Sequence, residues 1–283
     1  LTFLVGYDEN CTPLKIILLI VGGETMKESI HFSYDGITSE QMGLLNVRVD
    51  TSGFYEEQFL ADRELHEISI RGNERPYFQG IKRAPLTLSL SFAFEDTYDE
   101  AKIREVARWL NAEYYKPFFT LDAPDRIYYC MLTSSSKLLH NGLLSGYITI
   151  EMRCDSPYTY TPQYLSPLYD YSTNVVNGTN LTFTNFGDTI CRPEVWIVKV
   201  GDGDVSIINN TDGGREFKFT GLSDGETVYV SSEREHIETD KSNTYRYDNF
   251  NDNYLKMVRG VNALVVKGNC KVQFRYTFST LQG

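Results

Sequence analysis

The sequence has no Cys-x-x-Cys pair anywhere in its 283 residues, and its five cysteines (Cys11, Cys130, Cys154, Cys191, Cys270) are odd in number and far apart. Zinc sites and dithiol redox motifs therefore have no support. The spacing suggests small buried hydrophobes in a reducing compartment rather than a disulfide framework. Long apolar runs are also missing. The run Ile16 to Val21 is far below the roughly 20 residues that a membrane helix needs. It also lacks the basic start and the cleavage site of a signal peptide. Lysine and arginine form no cluster, scattered singly apart from Lys82-Arg83, and the formal net charge is −11. Proteins that grip nucleic acid cluster their cations against phosphates, so sequence-specific DNA or RNA binding is not expected, and the charge is compatible with weak repulsion of DNA.

Catalytic signatures are equally scarce. Neither His-Glu-x-x-His nor Gly-x-Ser-x-Gly occurs, and the four histidines (His31, His66, His140, His236) are distant in sequence. The stretch "VKVGDGDVS" imitates a dinucleotide loop, but Ser206 holds the sixth position and "VSIINN" continues as a strand, so it reads as a hairpin turn. In "DNFNDNY", Asn249, Asn251 and Asn253 have calcium-loop spacing, yet Tyr254 stands where the turn requires glycine. Glu56-Glu57 and Glu233/Glu235 could imitate a glycosidase pair; solvated surface is the simpler reading. Sequons at Asn177, Asn180 and Asn209 matter only in a eukaryotic secretory setting. No catalytic residue, metal ligand or cofactor is predicted, and the chain is not expected to be an enzyme.

What is abundant is aromatic: 20 Tyr and 16 Phe in a chain that is 41% hydrophobic. Flat rings suit pleated surfaces, and the predicted fold is mainly β. In "SIHFSYDG" the alternation puts Ile30, Phe32 and Tyr34 inward and His31, Ser33 and Asp35 outward. "TSGFYEEQFLADRELHE" lacks clean periodicity and reads as a long projecting loop or hairpin. "PLTLSLSFAFED" places Leu86, Leu88, Leu90, Phe92 and Phe94 on one face. One helix follows: Thr97 and Glu100 form a capping-box signature, Ile103, Val106, Ala107, Leu110 and Tyr114 share a face, and Lys116-Pro117 ends it. "GYITIEMRC" buries Ile148, Ile150, Met152 and Cys154.

The stretch "SPYTYTPQYLSPLYDY" then carries Pro157, Pro162 and Pro167. Each removes a backbone donor and biases its predecessor toward extended geometry. Residues 157–171 read as a semi-rigid connector between an N-terminal α+β, sandwich-like domain (26–156) and a C-terminal domain (172–283). The latter shows short strands at turn-punctuated intervals, as in a galectin-like or jelly-roll β-sandwich. Its last strand buries Val272, Phe274, Tyr276 and Phe278. Residues 1–25 are expected to be an N-terminal arm or a translated upstream leader. For the leader reading, codons for Gly22-Gly23-Glu24 can spell a ribosome-binding site just ahead of Met26.

Four stretches together resemble the distal tail protein (Dit) family of long-tailed phages and prophages: "HFSYDGITSEQMGLLNV", "RWLNAEYYKPFFTLDAPDRIYYCML", "GYITIEMRCDSPYTYTP" and "YLKMVRGVNALVVKGNCKVQFRYTF". Their order and spacing carry the likeness; "QYLSPLYDYS" and the leader depart from it. The resemblance implies a structural hub of the virion tail, assembled in the host bacterial cytoplasm. Its N-terminal domain would close into a homohexameric ring, possibly stacked. Partners would be the tail tube protein, the tail-tip or tail-associated lysin, and receptor-binding proteins. DNA would pass through an acid-lined lumen without specific binding, and no membrane is involved. The aromatic-acidic loop around Phe54, Tyr55, Phe59 and Leu60 is the candidate for one subunit interface, as exposed aromatics without local periodicity are typical anchors; folding of that loop back onto its own domain is the equal alternative. The competing reading is a lectin-like carbohydrate-binding module using Trp196, whose place in "VWIVKV" equally suits core packing. A hydrolase of cell-wall glycan ranks third.

Overall fold

The computed structural model describes residues 29–47, 60–96, 98–133, 137–140 and 146–281. Cys11, Phe54, Tyr55, Phe59, Glu56, Glu57 and Thr97 lie outside that set. Ten strands form in the N-terminal half: β1 (Phe32–Tyr34), β2 (Ile37–Thr38), β3 (Leu44–Asn46), β4 (Arg63–Ile68), β5 (Tyr77–Arg83), β6 (Thr87–Phe94), β7 (Lys116–Thr120), β8 (Tyr128–Leu132), β9 (Lys137–His140) and β10 (Gly146–Cys154). All but β4 and β5 join one antiparallel sheet in the order β2-β1-β7-β8-β10-β6-β3, with β9 also on β10.

Its centre is the β6–β10 pair, registered Leu88 with Met152, Leu90 with Ile150 and Phe92 with Ile148. Period-two alternation puts these side chains on one face, and Leu88, Leu90, Phe92, Ile150 and Met152 are buried there. Helix α1 (Glu100–Leu110) lies on that face through Val106, Trp109 and Leu110. Trp109 stacks on Phe32 at 5.7 Å and donates its indole N–H to the Tyr34 carbonyl at 2.9 Å.

Three expectations are corrected here. Asp99 caps α1, its carboxylate accepting from Lys102 N at 2.7 Å, because it directly precedes the first helical residue, where a side-chain oxygen can reach the free amides. Asp99→Ala should therefore cost about 0.5–2 kcal/mol, measurable as a lower urea midpoint. The helix stops at Asn111, so Tyr114 is 72% exposed and Lys116-Pro117 opens β7. At the start, Ile30 precedes β1 and is 59% exposed, while Ser33 is buried beside Phe32 and Tyr34 in a strand paired along both edges, by β2 and β7.

The proline-rich segment contributes β11 (Thr159–Tyr160), β12 (Tyr164–Leu165) and β13 (Tyr169–Tyr171). Then follow β14 (Thr179–Asn185), β15 (Glu194–Lys199), β16 (Gly203–Asn209), β17 (Arg215–Leu222), β18 (Thr227–Ser231), β19 (His236–Thr239), β20 (Gly260–Lys267), β21 (Cys270–Tyr276) and β22 (Ser279–Thr280). Two sheets face each other: β12-β21-β15-β18-β19, with β13 also on β21, and β14-β20-β16-β17. Val195, Ile197, Val228, Val230, Val272 and Phe274 from one meet Phe183, Val205, Ile207, Phe217, Phe219 and Leu264 from the other in a single core. The protein is mainly β, as its sequence predicts.

The "GDGD" turn is not a hairpin. β15 pairs with β18 and β21, whereas β16 pairs with β17 and β20, so the chain crosses from one sheet to the other. Gly268, at φ +85°, is fixed by close approach: a Cβ there would sit 2.2 Å from the Asp204 carbonyl oxygen. The loop containing Asn251 is held by β17, accepting from Lys218 N and donating to the Glu216 carbonyl. β19, which no alternation announces, covers the edge of β18.

Candidate assembly and binding surfaces

The connector is sewn to both halves. Tyr160 exchanges both backbone bonds with Ile127 at 2.8 Å, and its ring meets Tyr129 edge-on at 5.5 Å. β11 pairs with β22, reinforced by Thr159 and Thr280 hydroxyls 2.7 Å apart. Ser166 N donates to the Phe274 carbonyl, and its hydroxyl accepts from Phe274 N. β12 and β13 both lie along β21, and Tyr164 packs on Tyr276 and Phe278. Prolines fall between these short ladders, where their missing donors leave no ladder bond unmade.

Beside the connector opens a cleft of about 590 Å³, lined among others by Tyr158, Gln163, Arg192, Glu194, Glu233 and Tyr276. Burial holds the Asp155 carboxyl above its ordinary value against the pull of its hydrogen bonds with Ser156, and Glu233 adds like charge. Glu235 is exposed at φ 53°.

Trp196 does not pack in the core. Val195 and Ile197 take the inward positions, and the indole lies half-buried on the outer face of its sheet. The Arg275 guanidinium sits 4.8 Å over its ring, and Tyr229 is 4.9 Å from it. Arg275 is ion-paired to Glu194, so the indole is sandwiched in a cation–π ladder. Alongside runs a groove of about 330 Å³ bordered by Tyr164, Leu165, Gln273 and Arg275. The outward register of Gln273 and Arg275 was readable from the alternation of the last strand; their partnership with Trp196, distant in sequence, was not.

The histidines stay apart. His31 contacts Ser39, His66 lies exposed on β4, and His236 bonds Glu238 and Tyr247. Among the described residues no group of three or more His, Cys, Asp or Glu could hold a metal, and no helix is long and apolar enough to cross a membrane. Cys130, Cys154, Cys191 and Cys270 are free and buried; burial pushes the Cys154 and Cys191 thiols up to about 12. Asn209 is buried against Asn262 and the Lys256 carbonyl, which removes it as a glycan acceptor.

Of the expected interface anchors only Leu60 is described. It is half-buried, next to buried Ala61. From there β4 and β5 leave the domain as a separate two-stranded ribbon. Its exposed Leu65, Ile68, Tyr77, Phe78 and Ile81 escaped sequence reading because no alternation separates an apolar from a polar face.

Residues 27–156 match a family described as the phage tail protein N-terminal domain, and residues 166–276 match the phage tail C-terminal domain. The SPbeta prophage-derived protein YomH of Bacillus subtilis is 31% identical over 256 residues, covering 90% of this chain and 100% of that protein. The crystal structure of SPP1 Dit (gp 19.1), described as a paradigm of the hub adsorption apparatus in phages infecting Gram-positive bacteria, superposes with a TM-score of 0.64 at 15% identity, over 87% of this chain and 98% of that one. A chain of the phage P2 baseplate gives a TM-score of 0.48 at 6% identity, over 88% and 97%. With identity of 31% across the whole prophage relative and both domain matches in the same order, the chain belongs to the phage tail protein family that those two domains define.

Proposed function

We propose that the chain is the distal-tail hub subunit of a long-tailed phage or prophage, acting without catalysis to join the tail tube to the tip apparatus. The observation that carries this reading is the fold shared with SPP1 Dit along nearly the whole of both chains, within a family of tail proteins. Six copies form a ring by the 26–156 domain, and the 172–283 sandwich stands outside it, oriented by the 157–171 connector. A head-to-tail ring needs two different complementary surfaces on each copy. Phe54, Tyr55, Phe59 and Leu60 belong to one of them. The acidic balance suits a lumen through which DNA moves without adsorbing. The tail-tip lysin and receptor-binding proteins dock on the distal side.

Native mass of the purified chain tests the reading: a ring gives six times 32.4 kDa, and a stable single chain, even when mixed with tube and tip components, defeats it. Phe54→Asp with Tyr55→Asp should reduce that mass by light scattering; an unchanged ring would remove these two from the interface. A lectin-like role is the second reading, favoured by the outward position of Trp196. Arg275 over the indole face opposes it, because a sugar ring would have to displace a paired guanidinium. Binding of residues 157–283 to a glycan array would favour this second reading.

A further inference from the structure

We propose that Tyr160 is a latch between two separately cored bodies, and that on its release residues 159–281 swing as one piece about Pro157 and Tyr158. The cores are distinct. One gathers residues from Phe32 to Cys154 around the helix, and the other gathers residues from Phe183 to Phe278 between the facing sheets. The proline-rich segment goes with the second. Tyr169 and Tyr171 pack on the sandwich core, and β12 and β13 lie along β21. β11 is gripped just as firmly. Thr159 is fully buried, with its hydroxyl 2.7 Å from that of Thr280. Thr161 N donates to the Phe278 carbonyl, and the Thr161 hydroxyl accepts from Phe278 N, both at 3.0 Å. The first body ends at Ser156, whose carbonyl accepts from Leu86 N at 3.1 Å. Pro157 and Tyr158 are what lies between.

The contacts across this seam converge on Tyr160. Its backbone N–H and carbonyl both bond Ile127 at 2.8 Å, in an isolated bridge rather than a ladder. Its ring meets Tyr129 edge-on, and its hydroxyl donates to Ser156 Oγ at 2.8 Å. In an extended strand the N–H and carbonyl of one residue leave by the same edge, and those of its neighbours by the other. Tyr160 therefore serves the first body while Thr159 and Thr161 face β22, so opening the bridge leaves the grip of β22 intact. A lone bridge has no adjacent rungs to share its load, and such local contacts open far more readily than a core.

Two further features favour the swing. Glu233, in the sandwich, puts like charge near Asp155 at the end of the first body. The cleft of about 590 Å³ beside Tyr158 and Tyr160 supplies room. Pro157 fixes one backbone torsion of the pivot, which confines the motion to a few directions. In the distal-tail reading the swing re-aims the sandwich while the N-terminal domain keeps its neighbours; the latch itself needs only a single chain.

Hydrogen exchange of the full chain, resolved to single amides and corrected for intrinsic rates, tests it. Ile127 and Tyr160 should exchange together, at least about tenfold faster than Thr161, Phe278 and Cys154. Thr161 and Phe278 report the grip of β22, and Cys154, bonded to the Leu86 carbonyl at 2.8 Å, reports the first body. Tyr160→Ala should speed Ile127 by about a further tenfold and leave Thr161, Phe278 and Cys154 unchanged. Tyr160→Phe, which loses only the Ser156 bond, should fall between. Ile127 and Tyr160 as slow as Cys154 would overturn the latch, because the joint then opens only with the fold. Thr161 and Phe278 as fast as Tyr160 would overturn the one-piece swing, because β11 then lets go of the sandwich instead. Should Tyr160→Ala not fold, the wild-type rates decide between these outcomes by themselves.

Discussion

Glu226→Ala is expected to lower unfolding free energy by about 3–5 kcal/mol, as breaking a buried ion pair on one side does. The Glu226 side chain is fully buried, and Arg246 grips it with Nη2 at 2.6 Å and Nε at 2.7 Å. The Thr239 hydroxyl at 2.7 Å and Ser223 N at 3.0 Å complete the carboxylate's acceptor sites. Without it, the Arg246 guanidinium would be left largely buried and unpaired. Arg246→Ala should lose a similar amount for the converse reason. Glu226→Leu combined with Arg246→Met should recover much of the loss, since desolvation then disappears with the charges. Urea unfolding followed by far-UV circular dichroism reads all three; equal midpoints for wild type and Glu226→Ala would show that the pair contributes nothing.

The same carboxylate sets a pH dependence. Burial works against its charged form, but the hydrogen bonds from Arg246, Ser223 N and Thr239 outweigh it, so the folded-state value lies below the ordinary one. A depressed carboxyl stabilises the fold fully above the unfolded value, about 4.3, and that contribution fades as pH falls through the folded value. The gap between wild type and Glu226→Gln should therefore narrow below pH 4.

Trp109→Ala is the second large effect, about 3–5 kcal/mol from the lost ring and the cavity it leaves. The indole fixes the helix to the sheet by stacking on Phe32, edge contact with Tyr34 and its N–H bond to the Tyr34 carbonyl. Trp109→Phe keeps most of the area but leaves that carbonyl without its donor, which should cost about 1–3 kcal/mol. Only two tryptophans exist, so Trp196→Phe makes Trp109 the sole reporter of the N-terminal half. In that background, loss of the Phe32 contact through Phe32→Ala should shift emission to the red before global unfolding.

Much of this was legible in one dimension. Alternation in "PLTLSLSFAFED", "GYITIEMRC" and "KVQFRYTF" fixed which side chains face the core, because strand geometry sends neighbours to opposite sides whatever the partner strand. The spacing of Val106 and Leu110 gave the helix face for the same local reason. Trp109 completes that face, although the periodic set drawn from the sequence passed over it. The three prolines announced a segment without a central strand. Two domains' worth of short strands, and the family likeness in four stretches, were likewise there to read.

What the sequence could not decide is which strand pairs with which, since pairing is chosen by total burial across distant segments and not by any residue's neighbours. Hence the "GDGD" turn, locally a hairpin, became a crossing between sheets. Trp196, which its local sequence left open between core and surface, turned outward because Val195 and Ile197 on either side filled the inward positions, and it met Arg275 only once β15 and β21 lay side by side. The exposed ribbon is intermediate: the missing periodicity of "TSGFYEEQFLADRELHE" already reads as a projecting loop or hairpin, but only the tertiary structure pairs β4 with β5, from a segment well beyond it.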